Sequence, residues 1–164
     1  MPLVTRAAAR PHTTAAFRAA AGARYREAVQ LEVGGHRLAA VYLFGYAAEM
    51  LLKAAYFRLA GWAPAAIITH AHLNAAKATA IGYGLTWAGN LHDLTGWSRF
   101  LIHERVVRGQ AFGALFRNQL QSRVNQLYRH WREWLRYHDM MPYRGEVAGA
   151  RAAANWLLTQ YPRL

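Results

Sequence analysis

Glu49 and Lys53 stand four residues apart inside LFGYAAEMLLKAAYF (43–57), the most hydrophobic helical stretch of the chain. Burying a lone charge costs on the order of several kcal/mol, comparable with the stability of a small domain. The pair is in the favourable order, with the acid one turn N-terminal to the base. Tyr42, Tyr46 and Tyr56 fall on the same helical face and can donate hydroxyl hydrogen bonds to it. A neutralised, hydrogen-bonded couple is tolerated in a core where a single charge is not. Paired buried charges also occur at functional sites, so packing specificity and function are both open readings for Glu49 and Lys53.

A second constellation lies near the C-terminus. Arg129, Arg132 and Arg136 recur at helical spacing, with Arg144 just beyond, and Trp131, Trp134 and Tyr137 interleave them. Guanidinium groups hold phosphates and aromatic rings stack on bases, so this stripe is suited to RNA. The same pattern fits tryptophans acting as core or dimer anchors beneath a solubilising arginine face. His70-Ala-His72 resembles a metal pair, but residues two apart on a helix do not face one side, so structural or solvent-facing roles are expected. Asp93, after His92, suits a helix N-terminus. The chain contains no Walker loop, Rossmann fingerprint, Gly-x-Ser-x-Gly elbow or zinc-ligand spacing.

These residues must be positioned by helices. Hydrophobic residues at intervals of three and four, abundant Ala and the lack of strand-like alternation imply an all-α chain. Periodicity and caps predict helices over 14–32, 36–60, 65–81 (weaker), 91–107, 111–137 and 147–160. The expected fold is an up-and-down bundle of four to six helices spanning 13–164, preceded by a flexible arm over 1–12. The second helix carries apolar residues on one side and the Tyr, Glu and Lys face on the other, which makes it central. Its length would serve a bilayer, but Glu49 and Lys53 at its middle would each cost roughly 2.5–3.5 kcal/mol there, so no membrane is expected.

Composition narrows the function classes. The 164-residue chain has a net charge of +12, and all but two of its 20 basic residues are Arg. That surplus favours an anionic partner, nucleic acid first and an acidic protein second. Without Cys there is no disulfide framework or thiolate metal site, which fits a reducing compartment. No apolar signal-peptide core is visible. The Arg- and Ala-rich, acid-free start reads as a frayed bacterial N-terminus or as a transit peptide; the expected location is the cytoplasm.

Three stretches together resemble the HEPN family, the helical domains named for higher eukaryotes and prokaryotes nucleotide-binding. LAAVYLFGYAAEMLLKAAYF, with Glu49 and Lys53 as E-x-x-x-K, is similar to the family's second helix. GNLHDLTGW is similar to the H-D-L opening of its next long helix, here His92-Asp93-Leu94. WREWLRYHDMMPYRGEVAGA, with Leu135-Arg136-Tyr137, a gap and an Ala-rich helix, is similar to its C-terminal half. The resemblance covers most of residues 20–160 and rests on the order and spacing of these stretches. It implies a homodimeric bundle acting on or binding RNA or nucleotides in a defence or toxin–antitoxin setting. Family members are either metal-independent endoribonucleases, with no cofactor, or non-catalytic modules working with an antitoxin or nucleotidyltransferase partner.

In catalytic members an Arg precedes a His by four to six intervening residues, and two copies meet across the dimer. Imidazole can move the proton of a ribose 2′-OH, and Arg can hold the scissile phosphate bidentately. Arg6–His12, Arg123–His130 and Arg132–His138 all fit. A shuffled chain of this composition would hold roughly 2.6 such matches, so spacing alone does not discriminate. Only Arg132–His138 lies where the resemblance places the motif, and its second position is Glu133 rather than Asn, Asp or His. The resemblance thus implies His138 as general acid/base and Arg132, helped by Arg136, on the phosphate; the basic stripe itself offers Arg129, Arg136 and Arg144 as substrate contacts. The alternative is a degenerate motif in a non-catalytic binding or regulatory protein.

Overall fold

The computed structural model describes residues 12–164 and is all-helical, with no strand among the described residues. Among the described residues six α-helices follow in order: α1 (Thr14–Val33), α2 (Arg37–Leu59), α3 (His70–Gly82), α4 (Leu94–Val107), α5 (Ala114–His130) and α6 (Arg144–Gln160). Short 3-10 helices lie at Glu133–Tyr137 and Tyr161–Arg163. The expected arm over 1–12, and Arg6 with it, lies almost entirely outside the described residues.

α1 starts where Thr13 accepts a hydrogen bond from the Ala16 N–H at 3.0 Å. It ends at Gly34-Gly35, where Gly35 adopts a φ of 81° that glycine reaches without strain. The tight turn folds α2 back antiparallel to α1. Accordingly the Ala15 N–H donates to the Pro64 carbonyl at 3.1 Å, joining the start of α1 to the chain beyond α2. α2 is the central rod: α1, α4 and α6 pack on it, and thirteen of its 23 residues are buried. By length and composition α2 could cross a bilayer, yet 67% of its most apolar window is buried against the rest of the chain. α5 packs on α4 and α6 and closes the core around Phe44, Leu51, Trp97, Phe100, Leu120, Leu127 and Leu157.

Two expectations are corrected. The weak helix expected over 65–81 begins only at His70, because Thr69 caps it: the Thr69 hydroxyl accepts from the His72 N–H, and the His72 ring accepts from the Thr69 N–H. The long helix expected over 111–137 ends at His130. Trp131 and Arg132 are extended, at φ/ψ of −124°/134° and −146°/153°. The cause is the contact made by Trp131. Its fully buried ring lies flat on Gly45 of α2, where a Cβ would come within 2.1 Å of the indole. Its Nε1–H donates to the Tyr42 carbonyl at 3.0 Å. Burial of a whole indole outweighs the two or so helical hydrogen bonds given up. The chain then crosses α2 as a strap over residues 131–143 before α6 begins.

Candidate functional site

The polar face of α2 is closed by groups that arrive from sequence-distant loops. Glu49 and Lys53 are both about 95% buried, and the Lys53 ammonium donates to Glu49 Oε1. Lys53 Nζ also lies 5.6 Å from the centre of the Trp97 ring, a cation–π distance. Glu49 Oε2 is engaged by His92 Nδ1 at 2.9 Å. The tyrosine hydroxyls expected to support the pair do not reach it: Tyr42 donates to Tyr46 at 3.2 Å instead. Burial, the Tyr42 contact and the Glu49 charge push the Tyr46 phenol well above its ordinary range, keeping it neutral. The Tyr46 ring meets both His92 and Trp131 edge-on, at 6.1 and 5.7 Å.

The loop over 83–93 presents His92, and its shape is set by side-chain bonds to its backbone. The fully buried Asp93 carboxylate accepts from the Ala88 N–H at 2.6 Å, the Thr95 hydroxyl at 2.6 Å and the Gly96 N–H at 2.9 Å, capping α4. Burial works to raise the Asp93 pKa, but these three donors and the Arg99 charge hold it below the usual carboxylate range. Trp87 and Trp97 donate their indole N–H groups to the Asn90 and Leu91 carbonyls at 2.7 and 2.9 Å. Lys77 donates to the Gly89 carbonyl, and the Asn90 amide to Glu133 on the strap. The His92 N–H itself donates to Asn90 Oδ1 at 2.9 Å. His92 is thus held by a rigid loop rather than carried on a free one.

With Nδ1–H donated to a buried carboxylate, the His92 Nε2 lone pair is left for proton transfer, the orientation used by carboxylate–histidine dyads. His92, Lys53, Lys77, His70, Asn74 and Asn90 line a cavity of about 390 Å³ with no carboxylate in its wall. Such a cavity suits a phosphate or another small anion. His70 Nδ1 is 3.0 Å from the Asn74 amide, and His72 serves the α3 cap. Among the described residues, no cluster of three or more His, Cys, Asp or Glu could hold a metal ion.

The residues expected to form the catalytic centre lie on the strap and are spread along it. Arg132 stacks on the Tyr128 ring at 3.5 Å and donates to the Trp131 carbonyl at 2.7 Å. His138 is exposed, and its ring meets Trp134 at 5.0 Å. Among the described residues no hydrogen bond joins Arg132 to His138. Arg129, Arg132, Arg136 and Arg144 do not share one helix face, because the helix ends at His130: Arg129 closes α5, Arg132 is extended, Arg136 is on the 3-10 helix and Arg144 opens α6. Arg136 sits beside the Tyr42 hydroxyl, which pushes its pKa up. Trp131 is core and out of reach of a base, whereas Trp134 and Tyr137 are exposed. His130, of the Arg123–His130 spacing, lies 3.4 Å from Glu146.

Comparison with protein-family models, with curated proteins and with solved structures finds no match to this chain.

The member of the site that sequence reasoning missed is His92. The available signal was stoichiometric: a buried carboxylate has two oxygens, and Lys53 occupies only one.

Proposed function

We propose that the chain is a HEPN-like module that binds RNA or nucleotides, with the Glu49–His92 dyad as its proton-transfer centre. The observation that carries this reading is the dyad itself: an imidazole held by a buried carboxylate at the wall of a cavity lined by Lys53, Lys77 and His70. In the catalytic form of the proposal, His92 Nε2 takes the proton of a ribose 2′-OH. The 2′-oxygen then attacks the adjacent phosphorus, the bond to the 5′-oxygen breaks, and a proton returns to that oxygen. The products are a 2′,3′-cyclic phosphate and a 5′-OH. Lys77 stands where it can offset the charge growing on the phosphate. This assignment moves the acid/base from His138 to His92.

The test is incubation of purified protein with total RNA in EDTA, beside His92→Gln and His138→Ala variants. Cleavage lost in the His92 variant and kept in the His138 variant is expected. The reverse pattern would return the centre to the Arg132–His138 motif.

A non-catalytic reading with a protein partner has its own support in the strap. Trp134, Tyr137, Met140, Met141 and Tyr143 are all exposed within ten residues, an apolar run of the kind that marks interfaces. A second copy of the chain is the partner proposed for this surface, in keeping with the dimer the resemblance implies. RNA left intact by well-folded dimer would favour this reading.

A further inference from the structure

A larger cavity lies on the other side of α2, between the first half of α1, the end of α2 and the C-terminal turn. Its volume is about 800 Å³, within the range of small-molecule sites. Three guanidinium groups, Arg18 and Arg26 of α1 and Arg58 of α2, line it. Arg18 and Arg26 flank Gly22 on one helical face, and the Arg26 guanidinium folds back over it: a Cβ at Gly22 would meet Arg26 Nη1 at 3.5 Å. Arg18 and Arg58 both lie on the Tyr161 ring, at 5.2 and 4.8 Å from its centre. Arg58 is held there by the Tyr161 carbonyl at 3.1 Å.

None of the three pairs with a carboxylate among the described residues. Glu27 is taken by Arg24, Glu32 by Arg151 and Glu104 by Arg108. Residues 1–11 contain no Asp or Glu that could serve. A fourth cation, Arg105, is close by but already engaged, its guanidinium donating to Leu164 O at 2.8 Å and to the Gln110 carbonyl at 2.9 Å; burial and the Arg58 charge lower its pKa. Arg18, Arg26 and Arg58, gathered with no carboxylate partner among the described residues, repel one another, and an anion of two charges relieves that repulsion while taking bidentate hydrogen bonds. Beside the arginines the wall holds apolar Leu51, Leu158 and Pro64, the Trp62 indole, and Thr14, whose buried hydroxyl has no hydrogen-bond partner among the described residues.

We infer that this cavity binds an organic phosphate, a dianionic phosphate monoester on a flat apolar body, with Arg18, Arg26 and Arg58 on the phosphate and Trp62 against the body. The site is separate from the His92 cavity and stands whether or not the protein cleaves RNA.

Calorimetric titration of the intact protein with 1-naphthyl phosphate and with inorganic phosphate tests it. Naphthyl phosphate should bind more tightly than inorganic phosphate, and Trp62→Ala should remove most of that difference. Arg18→Gln/Arg26→Gln should weaken binding by about tenfold or more, while Arg117→Gln, exposed on α5 and lining neither cavity, should leave it unchanged. Should the double Gln variant fail to fold by circular dichroism, Arg18→Lys/Arg26→Lys keeps the charge, loses the fork and should still weaken binding. AMP in place of naphthyl phosphate separates a nucleotide from other aryl phosphates, and binding of either one through the arginines supports the site. Unchanged affinity in the folded arginine variants, an equal loss in Arg117→Gln, or no binding to wild type at millimolar ligand would overturn it.

Discussion

Gly45→Ala sets two effects of known sign against each other. Alanine in a helix interior is favoured over glycine by about 1 kcal/mol, so propensity alone predicts a more stable protein. The added methyl, however, would sit 2.1 Å from Cγ and Cδ1 of Trp131 and 2.2 Å from its Nε1, far inside contact distance. A rigid indole cannot yield by more than an ångström without leaving its place, and with it goes the hydrogen bond to the Tyr42 carbonyl. Losing a buried Trp costs about 3–5 kcal/mol, so after the propensity gain the net loss should be about 2–4 kcal/mol. For a chain of this size that lowers Tm by roughly 5–15 °C. Urea unfolding followed by far-UV circular dichroism reads it directly. The double-mutant cycle is sharper: in a Trp131→Ala background there is no ring to meet, so Gly45→Ala should become neutral or stabilising by up to about 1 kcal/mol. A Gly45→Ala protein as stable as wild type, or effects that simply add, would refute the account of why the helix stops at His130.

Three further outcomes are expected. Glu49→Leu strands the Lys53 ammonium in the core and should cost about 3–5 kcal/mol by urea unfolding, while Glu49→Leu/Lys53→Met should recover most of it; equal losses in both would show that the charges are not coupled. The folded-state pKa of Asp93 is depressed, so its stabilisation is present above the unfolded value of about 4 and is lost as pH falls through the lower folded value. The stability gap between wild type and Asp93→Asn, from urea midpoints, should therefore narrow steadily as pH drops below about 4, and a constant gap would contradict the hydrogen-bonding account. If the strap joins two copies, light scattering should give twice the chain mass for wild type and a smaller mass for Trp134→Ser/Met140→Ser; a wild-type monomer at high micromolar concentration removes that reading.

Helix identity was largely legible in the sequence because its signals are local. Thr13, the Gly34-Gly35 pair, Asp93 and the three-and-four spacing of apolar residues all act within a turn or two of where they stand, and α1, α2 and α6 fall within three residues of their expected ends. The acid–base pair at Glu49 and Lys53 was legible for the same reason, being one turn of one helix. What the chain could not disclose by itself is contact between distant segments. Apolar spacing runs on past His130 as though the helix continued, and only the bare backbone of Gly45, on another helix, explains why it does not. His92 is 43 residues from Glu49, and no local rule pairs them. The arginines at 18, 26 and 58 look like scattered surface charge until α1 and α2 fold into a hairpin. Local hydrogen bonding and periodicity decide what each segment becomes; the exclusion of water between segments decides which side chains meet, and the chemistry resides in those meetings.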